Sequence, residues 1–422
     1  MNHCFKRTLN KYGRSNAQVV IVDSHPLEDS RIIRHMKLIT EHEFDTYRVN
    51  FNRSMDDSQS GIVTNTMVPT YVIGSASKNS RIDSIQYNIK KMFMNKRDLV
   101  TTLSHLAINV RKPSIIHVHD PALLIFALSL SKQFHLVRIV YDRHEVYESP
   151  MRISSFLPLP KIARIYETLA SKRIDGVVTV LDEYQSRVEA LFPNSRTAVV
   201  PNFPLDNDYD DMPIKAKIDN ISSADKVKFV YIGSLNWEYD RDIALIMDLA
   251  RSLLSRGYKV QFIIGGATTD ELLISELSSL NNTYPEDFIY AGYLGRDEVI
   301  RITQDAHFGF LLIRPDTDYW VLTSPNKIFE YLRCGTIPII RANCTQRQQL
   351  ESCSLWFERE DSREFIQSSI ESLICNADKM HDMLLKAYQL GQSYTFESIA
   401  SNYINLYDNL LMSADGNIRL SS

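Results

Sequence analysis

Short, β-branched and almost continuously apolar runs recur along the chain, each set apart from the next by a segment of helical periodicity. In the first half they are QVVIVD (18–23), TYVIG (70–74), SIIHVH (114–119), VRIVYD (137–142), GVVTVL (176–181) and TAVVP (197–201). In the second half they are VKFVYIG (227–233), KVQFIIGG (259–266), DFIYAG (287–292), HFGFLLI (307–313) and TIPII (336–340). A strand that is apolar on both faces needs cover on both, which is the situation of a parallel sheet between helix layers. Alternation with helical segments then calls for βαβ units. The chain is expected to be an α/β protein with two Rossmann-like, doubly wound parallel-sheet domains. Its 422 residues, too many for one ordinary core, agree with two.

The stretch 201–226, PNFPLDNDYDDMPIKAKIDNISSADK, is rich in Pro, Asp and Asn and shows neither periodicity. It is expected to be a linker. The domain limits that follow are 1–205 for the first domain, 206–226 for the linker and 227–394 for the second domain. Residues 345–412 carry helical patterns with no further strand expected, and 413–422 have the character of a frayed tail. Two segments of the first half break the pattern. The polar stretch 52–66 is expected to be an exposed loop and a candidate lid. The stretch FLPLPKIARIYETLASKRID (156–175) fits peripheral membrane attachment and fits a plain surface helix as well.

Apolar residues make up 44% and charged residues 23%, ordinary values for a soluble globular chain. A formal net charge of −4 gives no electrostatic case for nucleic acid as a partner. Five cysteines (Cys4, Cys334, Cys344, Cys353, Cys375) without CxxC spacing point to reduced thiols rather than a disulfide framework or a zinc site. No apolar run approaches the roughly 18 residues of a membrane span. A cytoplasmic location is expected, with at most peripheral contact at the inner face of the cell membrane.

In open α/β sheets ligands lie beyond the C-terminal ends of the strands. Several such ends carry polar groups here: Asp23-Ser24-His25-Pro26 followed by Glu28-Asp29-Ser30-Arg31, then His117-Val118-His119-Asp120, and Tyr141-Asp142-Arg143-His144-Glu145. His117 and His119 are read as alternating onto opposite faces of their strand, so that His119, nearer the tip, faces a cleft while His117 is buried. A metal on this His/Asp/Glu set matches no HExxH pattern or closed zinc set, and no metal is expected. Asp316-Thr317-Asp318 resembles a short acidic metal–diphosphate pattern, as do Asp206-Asn207-Asp208 and Asp208-Tyr209-Asp210, and so short a pattern carries no weight.

In the second half the segment TSPNKIFEYLRCGTIPII (323–340) is the most informative. Ser324 and Pro325 form a helix-start signal and Gly335 a stop signal. Ile328, Phe329 and Leu332 share one face; Asn326, Lys327 and Glu330 share another. A helix N-terminus favours anions, so a phosphate at the tip and a sugar diol on Glu330 would both be satisfied. An ordinary capped amphipathic helix fits the same residues. Gly233-Ser234 ends an earlier strand with Arg241 following, an arrangement able to bring backbone and guanidinium to a diphosphate. Gly265-Gly266 and Gly292 end later strands and are expected to leave room for a base, with Tyr293 placed to stack on it. Full GxGxxG and Walker A patterns are absent, against nicotinamide-dinucleotide and P-loop chemistry.

Taken together in order and spacing, IIHVHDPALL (115–124), IVYDRHEVYES (139–149), VVPNFP (199–204), FVYIGSLNWEYDRDIALIMDLA (229–250), YAGYLGRDEVIR (290–301) and SPNKIFEYLRCGTIPII (324–340) resemble the retaining GT-B glycosyltransferases, the large family that includes sucrose synthases and bacterial mannosyltransferases. The resemblance implies a UDP- or GDP-linked sugar donor held mainly by the second domain, a saccharide or lipid-linked acceptor on the first, and no cofactor. It implies a C-terminal segment (395–422) whose helix packs back on the first domain. By residue, Glu330 matches the ribose-binding second Glu of an E-x7-E signature, Arg241 the diphosphate arginine, and His119 the histidine against the transferred sugar. Lys327 is expected to supply the second cation, since no Lys follows Arg241 within residues 243–249. Gly233, Ser234, Gly265, Tyr293, Ser324 and Asn326 complete the expected donor side, and His25, Asp29, Asp120, His144 and Glu145 the acceptor side. Two departures stand out: Leu322 occupies the first Glu position, where Asp316, Asp318 or Tyr319 could substitute, and the first loop lacks the family's Gly-Gly. The implied chemistry is metal-independent sugar transfer with retention, in surface polysaccharide or glycolipid synthesis. A catalytically degenerate nucleotide-sugar-binding scaffold and a sugar-nucleotide epimerase on the same fold stand as alternatives.

Overall fold

The computed structural model describes residues 14–52, 60–74, 96–144, 159–235, 241–315, 325–342 and 346–412. Two compact units emerge. One takes the described residues up to 201 and those from 399 on; the other takes 202–398.

The first unit holds a sheet of eight strands: β1 (Gln18–Asp23), β2 (Asp45–Asn52), β3 (Gly61–Val63), β4 (Thr70–Gly74), β5 (Ser114–Val118), β6 (Val137–Arg143), β7 (Gly176–Thr179) and β8 (Arg196–Val199), in the order β3-β4-β2-β1-β5-β6-β7-β8. All its pairings are parallel except β3 on β4. The chain order around β1 reverses direction, which puts a topological switch point at the tips of β1 and β5. The second unit holds β9 (Val227–Ile232), β10 (Val260–Gly265), β11 (Phe288–Gly292), β12 (Phe308–Leu312), β13 (Ile337–Arg341) and β14 (Leu355–Trp356), all parallel, in the order β11-β10-β9-β12-β13-β14. Its switch point lies between β9 and β12. The doubly wound α/β expectation holds in both units.

The apolar runs became strands because both their faces are covered. In β1 every residue from Gln18 to Asp23 is buried, and in the second unit Phe229, Phe262 and Phe308 stack as neighbours across three strands, with centroids 4.6 and 4.8 Å apart. Strand β2 escapes the apolar pattern because Arg48 and Asn50 occupy inward positions. Arg48 is 1% exposed and donates from Nε to Asp23 at 2.7 Å, and Asn50 donates to the same carboxylate at 2.7 Å. A buried ion pair with its hydrogen bonds satisfied takes the place of apolar burial there.

The 52–66 stretch is not wholly a loop: Gly61–Val63 adds an antiparallel edge strand, while 53–59 lies outside the described residues. The 201–226 stretch is not irregular either. Asp211–Asp219 forms a helix with Asp210 accepting from the Met212 N–H, and its Ile214 and Ile218 are buried. Charged residues at most other positions of that helix hid its period. The Lys217 ammonium docks it by donating to the carbonyls of Ala306 at 2.7 Å and Cys334 at 2.8 Å. A short strand, Leu355–Trp356, also follows the last expected one. Among the described residues no helix is long and apolar enough to cross a membrane.

Candidate functional sites in the two units

In the first unit, polar side chains from two helices and the end of β5 converge on the Asp142 carboxylate near the end of β6. Arg31 lies one position into the Ser30–Glu41 helix, where Asp29 caps the start by accepting from the N–H groups of Arg31 and Ile32. That placement lets Arg31 fork onto Asp142, Nη2 to Oδ1 at 2.7 Å and Nε to Oδ2 at 3.0 Å. One turn on, His35 meets His119 (Nδ1 to Nε2, 3.1 Å) and the Tyr407 hydroxyl (2.7 Å), and His117 Nδ1 meets the same hydroxyl at 2.6 Å. Tyr403, one turn before Tyr407 on the Phe396–Met412 helix, donates to Asp142 Oδ2 at 2.8 Å. His119 Nδ1 lies 3.3 Å from that same oxygen. Asp142, His35, His117 and His119 are all 0% exposed.

Burial in this cluster acts against charge wherever an opposite charge is not close. The His119 imidazole is pushed down to about 3, and His35 and His117 are also lowered, each chiefly by burial. For Asp142 burial is the largest single influence and raises the pKa, yet Arg31 and the surrounding donors together hold it well below its ordinary value of 3.8. Near neutral pH the cluster is therefore one ion pair inside a shell of neutral imidazoles and phenols. The consequence for stability has a definite sign. Unfolded histidines bind a proton near 6.5, whereas these bind it only at much lower pH. The unfolded chain thus holds more protons between pH 6.5 and the lowered folded values. Stability must fall as pH drops through that window, by about 1.4 kcal/mol per pH unit per histidine. Urea midpoints measured at about pH 7 and about pH 5.5 check this; a flat or rising midpoint on acidification contradicts it.

The placement of His117 and His119 differs from the sequence expectation. Residues two apart on a strand share a face, and the rings stack with centroids 4.8 Å apart at 30°. Both are buried, so His119 does not stand free at the surface of the unit. Of the other residues expected on the acceptor side, His25 and His144 are half-buried with ring centroids 5.3 Å apart, and His25 Nδ1 sits 3.6 Å from Asp29 Oδ2. Asp120 ties the tips of β1 and β5 together, its Oδ2 accepting from the Ser24 N–H at 2.9 Å and hydroxyl at 2.7 Å. Glu145 lies outside the described residues.

Two groups of ligating atoms in this cluster come within metal-binding range, His35/His117/His119 and His119/Asp142/His144. Their present partners already use much of that capacity. The ring nitrogens of His35 face His119 and Tyr407, and Asp142 accepts from Arg31 and Tyr403. A guanidinium forked onto the carboxylate also opposes a cation there.

Arg31 and Asp142 stood out only as polar groups at strand ends, while His35, Tyr403 and Tyr407 are the residues that sequence reasoning missed. Their signal was i, i+4 spacing of polar rings and a cation on otherwise apolar helix faces, Arg31–His35 and Tyr403–Tyr407.

In the second unit the helix Asn326–Arg333 follows the expected plan at its C-terminus. Gly335 takes φ +55°, its N–H donates to Leu332 and that of Thr336 to Tyr331, the pairing that closes a helix with a left-handed residue. Ile328, Phe329 and Leu332 are fully buried. The helix is held close to its neighbours by two missing side chains: a Cβ on Gly309 of β12 would lie 2.6 Å from the Tyr331 ring, and one on Gly391 2.3 Å from the Leu332 carbonyl. At its N-terminus the cap residue is Pro325, with no side-chain cap; Ser324 lies outside the described residues.

Asn326, Lys327 and Glu330 are half-buried on the opposite side. The Lys327 ammonium reaches the end of β9, where a Cβ on Gly233 would meet its Cε at 3.0 Å and its Nζ at 3.2 Å. Its pKa is lowered from the ordinary 10.5, chiefly by burial; Glu330 acts to raise it and Arg241 to lower it further. Two cations and one carboxylate thus share one neighbourhood. Arg241 is fixed by an isolated bridge to Ile313, and the adjacent Asp242 caps the next helix and receives the buried Arg341 guanidinium. Ser234 is exposed, and its carbonyl accepts from the Tyr231 hydroxyl at 2.8 Å.

Two of the strand-end glycines, Gly265 and Gly266, serve packing, whereas Gly292, at φ +64°, borders open space. A Cβ on Gly265 would strike Leu294 at 2.7 Å, and one on Gly266 would lie 2.0 Å from the Gly233 carbonyl. Leu294 fills the room that Gly265 was expected to leave for a base. Tyr293 is 77% exposed. Asp206 pairs with Arg333 and Asp208 with Arg296, so these acidic residues have structural partners. Leu322 and the positions expected to substitute for it, Asp316, Asp318 and Tyr319, lie outside the described residues.

Comparison with known proteins bears on both units. Residues 75–203 match the model of Glycosyltransferase Family 4. No curated protein sequence matches the chain. Among solved structures, sucrose-phosphate synthase from Thermosynechococcus elongatus is similar with a TM-score of 0.68 at 13% identity, covering 94% of this chain and 100% of that one. Trehalose 6-phosphate synthase from Burkholderia multivorans gives 0.64 at 11% identity, covering 96% and 99%. HepE from Anabaena, solved in complex with UDP and glucose, gives 0.63 at 12% identity, covering 93% and 99%. Over nearly its whole length the chain has the fold of these solved glycosyltransferases, and residues 75–203 carry the Glycosyltransferase Family 4 signature.

Proposed function

We propose that the protein is a retaining, hexosyltransferase-like enzyme that moves a sugar from a UDP- or GDP-linked donor to a saccharide or lipid-linked acceptor, in surface polysaccharide or glycolipid synthesis. The observation that carries this reading is the Lys327 ammonium at the Gly233 strand end, beside Arg241 and Glu330, at the N-terminus of a helix whose cap residue is Pro325. Two cations and a helix N-terminus suit a leaving diphosphate, and the carboxylate one turn deeper suits a ribose diol. These groups supply the positive charge that a divalent ion would otherwise bring, so a chelator leaves the rate unchanged. Gly233, Ser234, Asn326 and Tyr293 flank the same strand ends. His25 and His144, half-buried at the strand tips of the first unit, are the groups assigned to the acceptor. His119 acts through the buried cluster as a positioning residue. The UDP and glucose bound by HepE favour uridine among the bases.

Melting the protein against a panel of nucleoside diphosphates and their sugars tests the reading. A ligand that binds only the folded state stabilises it by about 2.7 kcal/mol at a hundredfold excess over Kd. Stabilisation by a uridine or guanosine diphosphate, lost in Glu330→Ala, is the expected result. No shift with any nucleotide rejects a donor site. A shift with no transfer or donor hydrolysis supports the degenerate scaffold. Retention is read from the anomeric configuration of the product by NMR.

A further inference from the structure

From Ala163 on, the helix Leu159–Ala170 in the first unit buries one side and exposes the other. Ala163, Tyr166 and Ala170 pack inward, and Glu167 is buried against Arg143 with Oε1 2.8 Å from Nε. Outward stand Ile165 at 58% exposure and Leu169 at 59%. Single exposed apolar side chains are ordinary on a protein surface. Ile165 and Leu169 lie one turn apart on one face. Thr168 lies beside them, and Lys172 and Arg173 are exposed in the short turn that follows. From Arg164 to Arg173 the single acid is the buried Glu167, so the exposed side of this stretch carries basic and apolar groups and no negative charge.

We infer that this face is a docking surface for an anionic lipid bilayer. An apolar pair with basic residues at its end is the pattern of a helix lying in the membrane interface, with side chains among the upper acyl chains and cations among the headgroup phosphates. Charge complementarity selects this occupant. A second copy of the chain would bring the same basic groups against themselves, and an apolar protein groove would leave Lys172 and Arg173 without counter-charge. The inference does not depend on the transfer reaction, and it would place the enzyme beside a lipid-linked acceptor.

The test is flotation of the full-length protein with vesicles of phosphatidylcholine alone and of phosphatidylcholine mixed with phosphatidylglycerol. Binding is expected only to the mixed vesicles, and to weaken with added salt. Each basic residue near an anionic surface contributes about fivefold, so Lys172→Glu/Arg173→Glu should lower the partition by at least about 25-fold. Ile165→Ser/Leu169→Ser should lower it by about tenfold or more. Both pairs are exposed, and unchanged melting curves confirm that the variants fold. Absence of binding to the mixed vesicles overturns the inference, as does equal binding to both vesicle types or undiminished binding by either variant. A dimer seen by light scattering, and abolished by Ile165→Ser/Leu169→Ser, overturns it in favour of a self-interface.

Discussion

Asp142→Ala is expected to destabilise the first unit by about 3–5 kcal/mol. The carboxylate is 0% exposed and is the counter-charge for Arg31, whose guanidinium forks onto it from the helix that opens at Ser30. Removing it strands that guanidinium among neutral imidazoles and leaves the Tyr403 hydroxyl without its acceptor. A domain has a total stability of about 5–15 kcal/mol, so the variant should unfold at much lower urea and the loss should be confined to one of two transitions. The pair itself is another matter. Arg31→Met/Asp142→Leu removes both charges together and should recover much of the loss, because a buried ion pair gains little over apolar groups of similar volume. Should Asp142→Ala fail to fold at all, Tyr403→Phe keeps the ring and removes one charge-assisted hydrogen bond, worth about 1.5–3 kcal/mol. Urea titrations of the four proteins decide it. A double variant no better than Asp142→Ala would show that packing, not charge, is what Asp142 supplies.

This cluster also marks where the sequence stops being informative. The strands were legible because parallel strands covered on both sides are apolar runs, and all eleven expected runs lie within a residue or two of the observed limits. Strand β2 was not, because Arg48 and Asn50 hold inward positions on the strength of a partner, Asp23, that lies 25 and 27 residues away. The same limitation hid His35, Tyr403 and Tyr407. Tyr407 meets His35 across 372 residues of chain, and no local pattern reports a contact of that separation. His117 and His119 were misread for a simpler reason: a strand's period of two puts them on one face. In the second unit the stripes and the stop of the helix from Asn326 to Arg333 were legible almost residue by residue, since both are local properties; at its start Pro325 is the cap rather than the first helical residue. The role of Gly265 was not, because Leu294, nearly thirty positions on, decides what fills the space beside it.

Lys327→Met and Arg241→Ala should each lower kcat by about 10²–10³-fold, the range seen when one preorganised group facing developing negative charge is removed. The end of the Lys327 side chain fills the space where a Cβ on Gly233 would stand, and burial together with Arg241 lowers its pKa despite the opposing pull of Glu330. A cation held where its charge is disfavoured gains most when an anion arrives, and the departing diphosphate carries more charge on its bridging oxygen in the transition state than in the bound donor. The effect therefore belongs in kcat, with a smaller rise in KM. Glu330→Gln should behave differently. A ribose diol is bound alike before and during transfer, so this change should raise the KM for donor and spare kcat. The two cations act on one leaving group, so Lys327→Met/Arg241→Ala should cost less than the product of the single losses. Lys327→Arg restores charge with a bulkier, planar head and should recover part of the rate. Initial-rate kinetics with the donor identified by melting, alongside melting temperatures of each variant, separate the outcomes. Losses that track a fall in melting temperature would make Lys327 a structural residue of the β9 end, and an undiminished kcat in either variant would remove the diphosphate reading of this helix.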